Sequence, residues 1–132
     1  MQINRHIDPK RQIAIAVVTG TITVAEVRAD VMQLASTPYA GSDMPGLIDM
    51  RNATAGLNAD DLLEIAETVK RARAIGRTRR ALLVGNDLMF GLYRMFASFA
   101  TGGATEYRVF RDEDQALAWL AGKEADVEPL NS

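Results

Sequence analysis

Apolar side chains recur along this chain with two periods, and each change of period marks a new element. Residues 3–8 and 11–19 carry the alternation of strands, with Ile13, Ile15 and Val17 on one face and Gln12, Ala14 and Ala16 on the other. The first face is bulky and the second is small or polar. Pro9-Lys10 predicts a hairpin turn between the two strands, and Thr19-Gly20-Thr21 predicts a break after the second. Thr23 with Glu26 three residues later has capping-box spacing, and Val24, Val27, Val31, Leu34 and Ala35 follow at the helical period to about Ser36. Segment 37–45, rich in Pro, Gly, Ser and Asp, reads as a loop.

Residues 47–51 form a short apolar run that reads as a buried strand closed by an Asn52-Ala53-Thr54-Ala55-Gly56 turn. Asn58 caps a helix with Asp61 at its third position, Leu62, Ile65, Ala66, Val69 and Ala72 supply the stripe, and Gly76 stops it. A strand over 80–85 precedes a third helix, capped by Asn86 or Asp87 and running to about Ala100 before Thr101-Gly102-Gly103. The last strand covers 106–110. Asp112 and Gln115 then open a terminal helix, reaching about Gly122, on Ala116, Leu117, Trp119 and Leu120.

The order is a hairpin, a helix and three strand-helix units, which predicts one α/β domain over 1–122 with an acidic, loose tail over 123–132. Crossovers of one hand place most helices on one face of the sheet. That suits strands containing Gln12, Asp49 and Arg108, which are not apolar on both sides. A two-layer domain with a mixed, mostly parallel five-stranded sheet is expected.

With 132 residues, 48% hydrophobic and 24% charged, the chain has the composition of a single folded domain. The absence of cysteine excludes disulfides, thiol nucleophiles and zinc-cysteine sites, and a lone histidine, His6, excludes multi-histidine metal centres. No cofactor is implied. No apolar run reaches the roughly 18 residues of a membrane span, and the start lacks the apolar stretch of a signal peptide, so a cytoplasmic protein is expected. The net charge of -2 conceals an asymmetry: Lys70, Arg71, Arg73, Arg77, Arg79 and Arg80 place six positive charges in eleven residues, and the remaining 121 carry -8. Without interleaved aromatics this segment reads as a solvated helix end complementing its dipole, not as a nucleic-acid site.

The segment Val109-Phe110-Arg111-Asp112-Glu113-Asp114-Gln115-Ala116-Leu117-Ala118-Trp119-Leu120 resembles the closing strand, acidic cap and Ala-x-x-Trp-Leu helix of the SpoIIAA-like family, grouped with STAS and CRAL-TRIO domains. Arg80-Ala81-Leu82-Leu83-Val84-Gly85-Asn86-Asp87 and Leu47-Ile48-Asp49-Met50-Arg51 support the likeness, as does the order of elements along nearly the whole chain. The resemblance implies a non-enzymatic binding or regulatory module working through a regulatory protein partner or a small apolar or anionic ligand. In sporulation anti-sigma antagonists of this fold, a regulatory serine follows the middle strand. Here residues 51–61 contain no serine, and Thr54 is the only hydroxyl there for such a phosphoswitch.

Ligands of open α/β sheets bind outside the carboxyl ends of the strands. Arg51 and Arg111 are candidates to hold a carboxylate or phosphate at that edge, with Asn52, Thr54 and Asn86 orienting it; turn and cap chemistry is the simpler account of the same residues. The third helix is apolar over an arc on the order of 160°, more than one packing face needs. Leu88, Leu92, Met95 and Phe99 form one stripe; Met89, Tyr93, Phe96 and Ala100 form the next, with Phe90 farther round. Intradomain packing, a homodimer through this helix, or a ligand groove at Met89, Phe90 and Phe96 would each account for the arc. Tyr93 and Arg94 are its polar handles. An enzyme would need Arg51, Asn52, Asn86 and Tyr93 to converge on one water-excluding pocket.

Overall fold

The computed structural model describes residues 1–34, 36–38, 41–72 and 76–122. The acidic segment 123–132, expected to be a loose tail, lies outside the described residues, as do Ala35 and Arg73. Strands β1 (Gln2–Asp8) and β2 (Ile13–Ile22) form the expected antiparallel hairpin. Asp8 builds its turn: Oδ1 accepts from the backbone N–H groups of Lys10 at 3.0 Å and Arg11 at 3.1 Å. The remaining elements are α1 (Val24–Leu34), β3 (Gly46–Ala55), α2 (Ala59–Arg71), β4 (Arg79–Leu83), α3 (Asp87–Phe99), β5 (Glu106–Phe110) and α4 (Glu113–Leu120).

The sheet has the order β1-β2-β3-β4-β5, with all pairs after the hairpin parallel. Crossovers of one hand that step in one direction across a sheet keep their helices on one side. Accordingly α1, α2 and α3 share a face, where Val18, Met50, Leu82, Val84 and Val109 pack on Leu62, Ile65, Met89 and Phe96. Helix α4 follows the last strand and connects to no other, so handedness does not place it. It covers the opposite face, where Ala116, Trp119 and Leu120 pack on Ile13, Leu47, Ala81, Leu83 and Phe110. Most helices therefore lie on one face, as expected, with α4 covering part of the other.

Local cap chemistry fixes the helix starts. Asn58 and Asp61 form a reciprocal capping box at 2.9 and 3.0 Å. Asn86, not Asp87, caps α3 by accepting from Met89 N–H at 2.9 Å, and Asp112 caps α4 by accepting from Gln115 N–H at 3.1 Å.

Two expectations are corrected. Thr19-Gly20-Thr21 does not break β2, and Asn52 to Gly56 is not a turn: Thr19, Gly20, Thr21 and Ile22 pair with Asn52, Ala53, Thr54 and Ala55. The burial of Ile22 and Ala53 overrides the turn propensity of the small polar residues between them. A register shift near Val17 and Thr19 leaves Val18 opposite both Met50 and Arg51, a bulge that bends β3 there. The basic segment is likewise only partly a solvated helix end. Lys70 and Arg71 lie in the last turn of α2, each 3.7 Å from Glu67, but Arg79 and Arg80 belong to β4 and point into the two cores.

Candidate functional site

Between the sheet and helices α1–α3 lies a cavity of about 190 Å³. Its origin is a deficit of side-chain volume in one row of the sheet. Ala14, Gly46, Arg80 and Tyr107 pair across β2, β3, β4 and β5 and line the cavity, and the next row adds Ala16, Ile48 and Leu82. Ala14, Ala16 and Gly46 cannot reach the helices, so the space above them stays open. The Arg80 side chain lies across Gly46, close enough that a Cβ there would be in ordinary contact with it, 3.6 Å from Arg80 Cγ and 3.7 Å from its Nε. The roof is apolar, from Val27, Val31 and Leu34 of α1, Ile65 and Val69 of α2, and Tyr93 and Phe96 of α3. Only Leu34 of α1 is fully buried, and ion pairs of Arg5 with Asp30 (2.5 Å) and of Arg28 with Glu64 tie this helix to β1 and α2.

Few polar groups interrupt this lining. Arg5 and Asp30 neutralise one another, while Arg80 has only the Tyr107 hydroxyl, 3.5 Å away, and no carboxylate among the described residues. Tyr107 stacks edge-on against Phe96 with centroids 5.0 Å apart. Burial pushes its phenol up, with Arg80 working in the opposite direction, and burial pushes Tyr93 up to about 12. Both hydroxyls are therefore protonated donors at neutral pH.

The residues expected at the carboxyl edge of the strands do not form one site. Arg51 is held by two carboxylates: its Nε and Nη2 donate to Asp49 at 3.0 and 2.8 Å, and Nη2 also donates to Glu113 of α4 at 2.9 Å. Asn86 is occupied as a cap. Asn52 and Thr54 are exposed, and the Thr54 hydroxyl lies 3.2 Å from that of Thr21. Arg111 pairs with Asp87 and stacks on Phe90, its guanidinium carbon 4.3 Å from the ring centroid, with Arg94 at 5.8 Å from the same ring. Tyr93 faces the cavity beneath α1–α3, whereas Arg51 faces α4, so the four-residue enzyme pocket does not assemble.

The Arg51 side chain holds the Asp49 carboxyl below its ordinary value of 3.8. A depressed carboxyl stabilises the fold at pH above the unfolded value, and that contribution fades as pH falls through 3.8 toward the folded value. Because Arg51 is 43% exposed, screening keeps the effect small. Asp49→Asn should cost about 1 kcal/mol at pH 7, and the difference in urea midpoint between the two proteins should shrink as pH falls below 3.8. Emission of Trp119, the single tryptophan, reports both transitions.

The third helix takes the first of its three readings, intradomain packing, at two of the named residues, one of which, Phe96, also lines the cavity. Met89 and Phe96 are each 4% exposed, packed within their own domain, and neither is available to a partner subunit. Phe90 is half-buried under two arginines. The exposed apolar side chains of α3 are Leu88 and Met95 instead. Sequence reading missed Arg5, Ala14, Ala16, Asp30, Gly46, Arg80 and Tyr107 as site residues. The available signal was the small side of β2 beside charged or hydroxylated residues in neighbouring strands.

These features define an α/β domain with one mixed sheet, three crossover helices on one face and a cavity beneath them. The chain belongs to the SpoIIAA-like family, whose model matches residues 13–121. Among solved structures, it is similar to an uncharacterized protein of the DUF3478 family with a SpoIIAA-like fold from Shewanella loihica PV-4. The two share 17% identity and a TM-score of 0.59 over 90% of this chain and 92% of the other, a likeness of fold. No curated protein matches the chain. Among the described residues, no helix is long and apolar enough to cross a membrane, and no group of three or more His, Cys, Asp or Glu side chains could hold a metal ion.

Proposed function

We propose that this domain is a non-enzymatic binding module that takes a small apolar molecule into the cavity between the sheet and α1–α3. The observation that carries this reading is the row of Ala14 and Gly46, with Ala16 beside it, beneath an otherwise filled apolar core. Apolar cavities of about 150 Å³ remain dry and accept benzene-sized guests, and this one is larger, at about 190 Å³. Its roof includes α1, whose shallow burial offers an entry route at low cost.

Ala16→Leu tests the reading directly, because Ala16 lines the cavity and the added carbons would take up its space. In titration calorimetry with 1-octanol, the wild-type protein should show saturable binding and Ala16→Leu a loss of at least tenfold in affinity. Its melting temperature should be unchanged or higher, since burying each added CH₂ contributes about 0.8 kcal/mol. No saturable binding to the wild type, or equal binding to the filled variant, would reject the cavity as the site.

A further inference from the structure

We propose that Arg80 is a carboxylate-binding residue, and that the ligand of the cavity is a monocarboxylic acid with a short to medium aliphatic or aromatic body. The inference rests on the cavity being a binding site and adds the chemistry of its occupant.

An arginine near the start of a strand, half-buried against an apolar core, is costly unless its charge is met. The neighbouring cation in this sequence, Arg79, shows how the fold usually meets it. Arg79 faces α4, stacks on Trp119 at 5.2 Å, donates to the Trp119 carbonyl at 3.1 Å and lies 3.8 Å from Glu106. Arg80, one residue later, faces the cavity with only a phenol for a partner. Of the charged groups lining the cavity, Arg5 and Asp30 cancel as an ion pair and the Met1 ammonium is held by Glu26 at 2.8 Å, so the positive charge without a carboxylate partner is on Arg80. The Tyr107 hydroxyl, kept protonated by burial, stands beside the guanidinium as a second donor. A planar guanidinium plus an O–H donor matches the two oxygens of a carboxylate. Val31, Leu34, Ile65, Val69 and Phe96 meet the hydrocarbon body, since they line the rest of the cavity. At about 190 Å³ the space suits a body of roughly octyl or phenylpropyl size rather than a long acyl chain.

The probes are octanoate, 1-octanol and octylammonium, which share a chain and differ in the head. Titration of the wild-type protein should give octanoate at least tenfold tighter than 1-octanol, with octylammonium weakest. Arg80→Met keeps the length of the side chain and removes the charge; it should abolish the preference for octanoate while leaving 1-octanol affinity within about twofold, and Tyr107→Phe should reduce the preference in part. Failure of all three probes to bind would reject the cavity reading itself. Binding of 1-octanol with octanoate no tighter, or an octanoate preference surviving in Arg80→Met, would overturn the role of Arg80 alone. The ranking of heads on the wild type decides the matter even where a variant does not fold.

Discussion

Trp119→Ala is expected to lower stability by about 3–5 kcal/mol, as the loss of a fully buried large aromatic does. Trp119 is 1% exposed and anchors the only helix on its face of the sheet among the described residues. Its ring lies 5.7 Å from that of Phe110, and the Arg79 guanidinium carbon is 5.2 Å from its centroid. Helix α4 has eight residues, too few to hold itself together in water. Its persistence depends on docking Ala116, Trp119 and Leu120, and without the indole the face formed by Ile13, Leu47, Ala81 and Leu83 would be left partly uncovered. Because a domain of this size holds roughly 5–15 kcal/mol in total, the variant should melt on the order of 10–20 °C lower. Urea unfolding followed by far-ultraviolet circular dichroism checks this. Trp119→Phe, which keeps a ring against Phe110 and Arg79, should recover more than half of the loss. A cost below about 1 kcal/mol for the alanine variant would show that α4 is dispensable to the fold.

Docking at this face also explains the side-chain pattern of β4. Residues Arg79, Ala81 and Leu83 face α4, and Arg80 and Leu82 face the cavity, so one strand serves two cores and its first two residues give one arginine to each. Arg79 is satisfied by the helix it covers. Arg80 is the one left for a ligand.

Element order and helix starts are legible in the sequence because their causes are local. Asn58, Asn86 and Asp112 cap the helices that follow them with side chains three residues from their targets. The family resemblance is legible for the same reason, since the closing strand, cap and Trp-Leu helix lie in one continuous stretch. The extension of β2 and β3 to Ile22 and Ala55 is not legible, because Gly20, Asn52 and Thr54 have turn propensity and only their pairing across the sheet makes them strands. The cavity is further removed still. Arg5, Ala14, Gly46, Arg80 and Tyr107 come from five different strands, and the register that sets them side by side is a property of the assembled sheet. Within the basic run, Arg80 looks like its neighbours; its orientation is fixed by strand alternation, not by charge. The same physics misplaces Arg51 and Asn86, whose hydrogen-bonding capacity is used by Asp49, Glu113 and the first turn of α3.

Gly76→Ala and Gly91→Ala should shift stability in opposite directions, although both add one methyl group. Gly76 reads as a helix stop in the sequence, but α2 ends at Arg71 and Gly76 is buried in a contact between backbones. A Cβ at this position would lie 2.0 Å from the carbonyl oxygen of Ser42 and 2.7 Å from its carbonyl carbon. Neither is the free end of a side chain, so the two segments must part. Gly76 is also held from the other side, since its carbonyl accepts the buried Thr105 hydroxyl at 2.6 Å. Separating Ser42 from Gly76 therefore strains the approaches to β3 and β4 and pulls on the start of β5. Forcing bulk into such a contact costs about 3 kcal/mol. Gly91 lies in the exposed middle of α3, and a Cβ there would meet nothing within 4 Å. Alanine removes backbone freedom from the unfolded chain at no steric cost and should stabilise by about 0.5–1 kcal/mol. Thermal melts of the two variants beside the wild type should bracket it, Gly76→Ala well below and Gly91→Ala slightly above. A Gly76→Ala protein that melts with the wild type would mean that the 42–76 contact yields without cost, and that the spacing of β3 and β4 beneath Arg80 is set elsewhere.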